Sequence, residues 1–214
     1  MFDRKIEIHQ DQAFEGLEAA RQYAETAQKS TRRYMAFLER LETLGIEGRY
    51  LDVGAGPGIL TNLVAERFPQ VEITALELSE AMVSVGQEVL KSKGLQNRVT
   101  YVTGDAADTA LIQSLGKFHL IFSTYTLHHW EHPRKVIDNL LADLTDDGLL
   151  FLHDLRRVWW LYWIPVNNGF FKSIRGAYVQ SEIEKLLQGI PPECYDIKHE
   201  FPFMVSAFIR QPME

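Results

Sequence analysis

Leu51-Asp52-Val53-Gly54-Ala55-Gly56-Pro57-Gly58 closes one short apolar run and opens the periodic stretch that follows it. A strand-to-helix turn this tight needs residues without a Cβ, because the backbone must adopt positive φ and approach a ligand closely. The unpaired N–H groups at the start of the next helix would face that ligand. The glycines alternate, at 54, 56 and 58, and Ile59 stands where a dinucleotide fingerprint carries Gly or Ala. Asp52, two residues before the first glycine, would repel a pyrophosphate and suits a ligand with a positive amino group. The next apolar run ends in Ile73-Thr74-Ala75-Leu76-Glu77-Leu78-Ser79. A carboxylate at that strand tip accepts both hydroxyls of a ribose. A helix N-cap is the competing use of Glu77, though Ser79 is better placed for it. Together these residues favour a nucleoside with a cationic tail over a dinucleotide.

Outward from the loop, apolar runs at 49–53, 71–77, 99–103, 118–123 and 148–153 are rich in Val, Ile, Leu or Phe. They read as strands buried on both faces of a parallel sheet. Helix-like stretches lie between them at 58–68, 79–93, 107–115 and 133–143. Strict alternation predicts a doubly wound, Rossmann-like α/β fold. Residues 11–44 read as helical from Phe14, Leu17, Tyr34, Phe37, Leu38, Leu41 and Leu44, with Gly45 as the stop and Ser30-Thr31 as a cap for a second helix. After 154 the alternation breaks into an aromatic-rich segment, 155–175, a helix at 180–188, and strands at 194–200 and 203–210 separated by Pro202. The expectation is a mostly parallel seven-stranded sheet with an antiparallel edge and extra N-terminal helices.

With 214 residues, no internal repeat and no low-complexity linker, a single domain over 1–214 is the simplest reading. Cys194 is the sole cysteine, so no internal disulfide forms, and MFDRKIEIHQ has no apolar signal region. The longest apolar-aromatic stretch, 158–166, is far shorter than the ~20 residues of a spanning helix. The expected location is cytoplasmic. A net charge of −7 without a Lys/Arg run longer than two argues against nucleic acid, whose binding draws on clustered cations, and for small-molecule or protein substrates.

Five segments, LDVGAGPG (51–58), LELSEAM (76–82), VTGDAAD (102–108), HLIFSTYTLHHW (119–130) and LTDDGLLFLHD (144–154), appear in order. With them the chain resembles the class I S-adenosylmethionine (SAM)-dependent methyltransferases, in particular the small group typified by quinone-biosynthesis C-methyltransferases, over about residues 20–154. The resemblance implies SAM as cofactor. Gly54, Ala55 and Gly56 would pass under its methionine part, with Asp52 near the amino group. Glu77 would hold the ribose, Leu78 and Met82 would border the adenine, and Asp105 with Ala106 would meet its amino group. Ser123 and Thr124 would line the cofactor opposite the methyl group. On this reading 1–45 is a helical lid, 46–154 the SAM-binding core, and 155–214 the substrate-side segment with the last strands. The family's Phe-Asp is replaced here by Phe118-His119, at the strand end away from the ligand.

His128, His129 and Tyr125 are the candidate proton acceptors, since the loop after the fourth strand faces the substrate side and His titrates near neutrality. Packing or hydrogen bonding is the alternative use of each. His128 and His132 have the spacing of a helical metal pair, but Pro133 fits the first position of a helix and leaves His132 in the loop, so no metal is expected. Tyr23 and Tyr34 are lid or core residues. Trp159, Trp160, Tyr162, Trp163, Phe170 and Phe171 suit a connecting core, a homodimer interface through 155–175, or a water-excluding substrate mouth. Asp154, Arg156 and Arg157 are candidates for an anionic substrate group, or solvated charges. The expected function is methyl transfer from SAM to a small organic acceptor. A nicotinamide-dependent oxidoreductase, a non-catalytic SAM-binding or sensing protein, and SAM-fold chemistry other than methyl transfer are the rivals.

Overall fold

The computed structural model describes residues 16–163 and 169–212. Residues 11–15 of the expected first helix, Phe14 among them, and 164–168 of the aromatic segment lie outside the described residues. Seven strands, β1 (Arg49–Val53), β2 (Glu72–Glu77), β3 (Val99–Thr103), β4 (Phe118–Thr124), β5 (Leu144–Leu155), β6 (Tyr195–Glu200) and β7 (Met204–Ile209), form one sheet in the order β3-β2-β1-β4-β5-β7-β6. The pairs from β3 to β5 are parallel, and β7 runs antiparallel between β5 and β6. The order reverses between β1 and β4, which opens a crevice at their carboxyl ends, the usual ligand position in such sheets.

Two apolar layers enclose the sheet. Helices α1 (Leu17–Gln28), α2 (Met35–Leu44), α3 (Ile59–Arg67) and α4 (Glu80–Lys93) lie before β3 in the chain, and α5 (Thr109–Leu115), α6 (Pro133–Ala142), α7 (Gly169–Gly176) and α8 (Gln180–Leu186) after it. On one face Phe37 of α2 stacks on Phe151 at 4.8 Å, and Phe151 stacks on Phe208 at 4.5 Å. On the other, Ile112, Ile137, Leu140 and Ile183 from α5, α6 and α8 cover Leu51, Ile121, Leu150 and Val205. Burying each such side chain fully contributes on the order of 1.5–3 kcal/mol.

The helix ends follow local chemistry. Ser79 Oγ accepts from the Met82 N–H at 3.4 Å to start α4, and Asp108 Oδ1 accepts from Ala110 and Leu111 at 3.0 and 3.2 Å to start α5. Pro133 is the first residue of α6, and Gly45 ends α2 at φ 60°. Ser30 differs from expectation: it precedes a 3₁₀ turn, Thr31–Tyr34, but its hydroxyl makes no capping bond. His119, the departure from the family pattern, accepts the Arg49 N–H on Nδ1 at 3.1 Å, and its ring fills the space beside Gly48. That is an anchor at the amino end of the sheet, opposite the crevice.

Candidate active site

Each glycine of the loop is needed for a different reason. Gly54, Gly56 and Gly58 have φ of 77°, 55° and 79°. A Cβ at Gly54 would strike the Thr126 side chain, and one at Gly58 the Tyr101 hydroxyl. At Gly56 a Cβ would meet nothing within 4 Å, so this glycine faces open space. Gly54 and Ala55 donate to Leu76 O at 2.8 and 3.1 Å, which ties the loop to the tip of β2. Glu77 completes the tie: Oε2 accepts from the Gly56 N–H at 2.8 Å and Oε1 from the Ser79 N–H at 2.9 Å. The Tyr101 hydroxyl donates to Gly56 O at 3.3 Å, from the next strand.

Asp52 lies under this loop, 2% exposed, and Oδ2 accepts the Thr61 hydroxyl of α3 at 2.6 Å. Burial pushes its carboxyl up to about 7, against the Thr61 hydrogen bond, and the charge of Glu77 adds to the rise. A carboxyl so placed is poised to ionise when a cation arrives, because an opposite charge at close range restores the charged form.

Across the crevice β4 ends in Ser123 and Thr124. Ser123 Oγ is buried and donates to Val53 O at 2.8 Å, with Thr126 Oγ1 in close contact. Tyr125, at φ 58°, is the one non-glycine residue with positive φ among the described residues. Such a conformation costs about 1–2 kcal/mol and marks a position held by its surroundings. Its ring meets Tyr34 edge-on at 6.1 Å and His153 at 6.2 Å. Burial pushes its phenol up to about 12, so at neutral pH Tyr125 is a hydrogen-bond donor.

The histidines separate. His128 is buried, its N–H donates to Asp154 Oδ2 at 2.9 Å, and its Nδ1 lies 2.7 Å from Oδ1. Burial raises the Asp154 carboxyl, but His128 and the N–H groups of Leu155 and His128 outweigh it and hold the group below the usual range. Asp154 is therefore a carboxylate and His128 Nδ1 the donor. His129 is exposed, its ring 3.9 Å from that of His128. Among the described residues no group of three His, Cys, Asp or Glu could hold a metal. Arg157 is committed to Glu182 at 2.6 Å and to Ala177 O at 2.9 Å.

The remaining candidates lie outside the enclosed part of the crevice. Asp105 is exposed after β3, and its Oδ1 accepts from the Ala107 N–H at 2.8 Å. Ala106 is buried and its carbonyl accepts from Asn139 at 2.9 Å. Leu78 is 64% exposed, an apolar side chain beside Glu77. Met82 packs with Ala20, Ala24 and Val85, between α4 and α1.

The enclosed cleft measures about 90 Å³ and is lined by Asp52, Gly54, Ala55, Gly56, Thr124 and Tyr125, with Thr126, Tyr23, Arg33 and Tyr34 closing it. That volume is well below the roughly 300–1,000 Å³ of a typical small-molecule site. It suits one polar end of a longer ligand whose remainder lies over the open tips of β2 and β3. An acid on the floor, a glycine facing the void and an exposed apolar residue beyond it fit an amino-acid group joined to a nucleoside.

Sequence reading alone misses four contributors: Thr61, Tyr101, Thr126 and Arg33. Tyr101 left a signal. Gly86, inside α4, has no reason to interrupt a helix except the Tyr101 ring, which a Cβ there would strike. The others carry no local mark, because tertiary contact alone brings them to the cleft.

Residues 51–150 match the family described as a methyltransferase domain. The malonyl-[acyl-carrier protein] O-methyltransferase of Paenibacillus sp. (strain JDR-2) is 32% identical over 104 residues, 49% of this chain and 37% of that protein. The same-named protein of Priestia megaterium is 27% identical over 128 residues, 60% of this chain and 40% of that one. The chain thus spans less than half the length of these curated relatives. The fold is that of the plantazolicin methyltransferase BpumL in complex with SAH, at TM-score 0.70 and 14% identity, covering 94% of this chain and 93% of that one. An O-methyltransferase family protein from Burkholderia thailandensis aligns at TM-score 0.74 and 13% identity, covering 94% and 62%.

Proposed function

We propose that this chain, a methyltransferase domain of the class I fold, is a SAM-dependent methyltransferase acting on a small organic molecule. The observation that carries it is the buried Asp52 beneath Gly54–Ala55–Gly56, an acid where a dinucleotide site would reject one. When bound, SAM supplies a methyl group activated on a sulfonium, so the protein's task is orientation and exclusion of water. Asp52 meets the amino group, Gly56 gives the methionine part its space, and Glu77 receives the ribose while anchoring the loop. Leu78 covers the adenine with Met82 behind it, and Asp105 and Ala106 read the adenine edge. Thr124 lines the cofactor directly, and Ser123 holds the β1 and β4 tips together beside it. Holding donor and acceptor in line contributes on the order of 7–11 kcal/mol.

Tyr125 is the candidate that lines the cleft, and it orients an acceptor by donating a hydrogen bond. His128 fixes the loop through Asp154, and His129, exposed beside it, is the remaining candidate proton acceptor. Among the described residues, 16–45 cover the cofactor, 46–154 hold it, and 155–163 with 169–212 shape the acceptor side. Trp159, Trp160 and Phe170, each more than 40% exposed, form its mouth or a homodimer contact. Nucleic acid is disfavoured by the charge of −7, a cytoplasmic location fits the single cysteine, and no described helix is long and apolar enough to cross a membrane. Between the carbon acceptors of the quinone-biosynthesis type and oxygen acceptors, we place oxygen first, because sequence and structural relatives both carry O-methyltransferase names.

The test is incubation with methyl-labelled SAM and a small-metabolite extract, followed by identification of the labelled product. A methylated small molecule that fails to appear with Asp52→Asn is the expected result. SAM binding without labelling of any extract component would select the non-catalytic sensor, and NAD binding in its place the oxidoreductase.

A further inference from the structure

Charge is not spread evenly along this chain. Positions 155–181 hold Arg156, Arg157, Lys172 and Arg175 and none of the 29 acids of a chain whose net charge is −7. The same side of the molecule turns aromatic rings outward. Among the described residues the largely exposed Trp and Phe side chains are Trp159, Trp160, Phe170 and Phe201, the last at 97%. They belong to three elements: the 3₁₀ turn Trp159–Trp163, helix α7, and the β6–β7 hairpin. These elements meet over one small core, where Leu161, Ile174 and Met204, one from each, are buried together. Phe170 also meets Phe203 of the hairpin edge-on at 5.2 Å. Tyr125 packs against the same core and lines the cleft.

Clustered exposed aromatics mark an interaction surface, and charge decides what covers it. Two copies meeting here about a twofold axis would bring the same cations together. The neighbouring acids do not cancel them. Glu182 receives Arg157 at 2.6 Å, while Glu200, beside Phe201, accepts the Ser206 hydroxyl at 2.6 Å with Arg40 at 3.9 Å. The stretch therefore keeps a net positive charge. A bilayer with anionic headgroups complements both features, because Trp and Phe settle at the headgroup boundary and Lys and Arg are drawn by the surface potential. The acidic remainder of the chain is repelled, which selects one orientation. We infer that the face carrying Trp159, Trp160, Phe170 and Phe201 docks the protein on an anionic membrane surface. The contact is peripheral, since no described helix is long and apolar enough to cross a membrane. It does not depend on the SAM reading, and through Tyr125 it sets the acceptor side of the cleft against the lipid.

Flotation of the full chain with vesicles of phosphatidylcholine alone, and with about 30% phosphatidylglycerol added, tests the inference without cofactor or acceptor. The native protein is expected to float with the anionic vesicles at least about tenfold more than with the neutral ones, and to be released by high salt. The double variant Trp159→Ser, Phe201→Ser should lose at least about tenfold of that binding, with a thermal melt matching the native protein, since both side chains are exposed. Leu17→Ser, at an exposed apolar residue of α1, should bind vesicles as the native protein does. Failure to float with either vesicle would overturn the inference, as would equal binding to both. Anionic binding that survives in the double variant would also overturn it, by placing the contact elsewhere. A native dimer that the double variant converts to monomer, with no vesicle binding by either, would overturn it and assign the face to a second copy.

Discussion

Asp52 stores an electrostatic cost in the folded chain that a ligand can release. Its folded carboxyl titrates about 7 against an ordinary 3.8, chiefly through burial. The protonated form is the one the empty fold prefers. The associated stability is therefore complete below about pH 4 and declines as pH rises through about 7, by at most on the order of 4 kcal/mol. Asp52→Asn removes the titration and keeps an oxygen for Thr61. The variant should match the native protein in urea near pH 3.5, exceed it at pH 8, and bind SAH weakly at pH 8. A native pH slope surviving in Asp52→Asn would assign the titration elsewhere. At this scale the sequence was informative where chemistry is local: the glycine spacing, the acid before it and the acid at the tip of β2 were all legible. Thr61 and Arg33 were not, because nothing in their neighbourhood distinguishes them from ordinary helix and turn residues until the helices pack.

Among the elements, the loop after β4 is held by a buried pair rather than by its own secondary structure. The carboxylate of Asp154, at the end of β5, receives both the ring and the backbone N–H of His128. Its folded pKa is depressed, so its stabilisation is present above its unfolded value and is lost as pH falls through the folded one, opposite in sign to Asp52. Asp154→Ala, which leaves His128 buried without its carboxylate, should cost about 3–5 kcal/mol in urea at pH 7. A loss under about 1 kcal/mol would mean the loop is held by packing alone, since that is the worth of an ordinary exposed pair. Strand and helix order was legible from periodicity, but some boundaries were not. Strand β5 begins at Leu144 instead of 148, although Thr145-Asp146-Asp147-Gly148 has turn composition. The pairing shifts register between Phe118 and Leu120, and Gly148 packs where a Cβ would touch Phe118 O at 3.0 Å. Turn residues thus serve as an irregular strand. Helix α7 was not expected either: Phe170, Phe171 and Ile174 have helical spacing, but the aromatic-rich composition of the surrounding segment masked it.

For the whole molecule, the sheet order places three strand tips, β1, β2 and β3, side by side at one edge, each followed by an acid-bearing loop or carrying an acid itself. Under the proposed function the enclosed cleft takes the amino-acid end of the cofactor, and the exposed tips beyond it receive the rest. This division explains why the cofactor side was legible in the sequence and the acceptor side was not. Backbone geometry constrains a glycine loop and strand-tip acids tightly, whereas a greasy mouth tolerates many aromatic arrangements. The proposed function requires the cleft to take an adenosyl amino acid and refuse a pyrophosphate. Parallel calorimetric titrations with SAH and with NAD test it most directly. Saturable binding of SAH with no detectable heat from NAD is the expected result. Saturation by NAD with SAH inert would contradict the central claim outright.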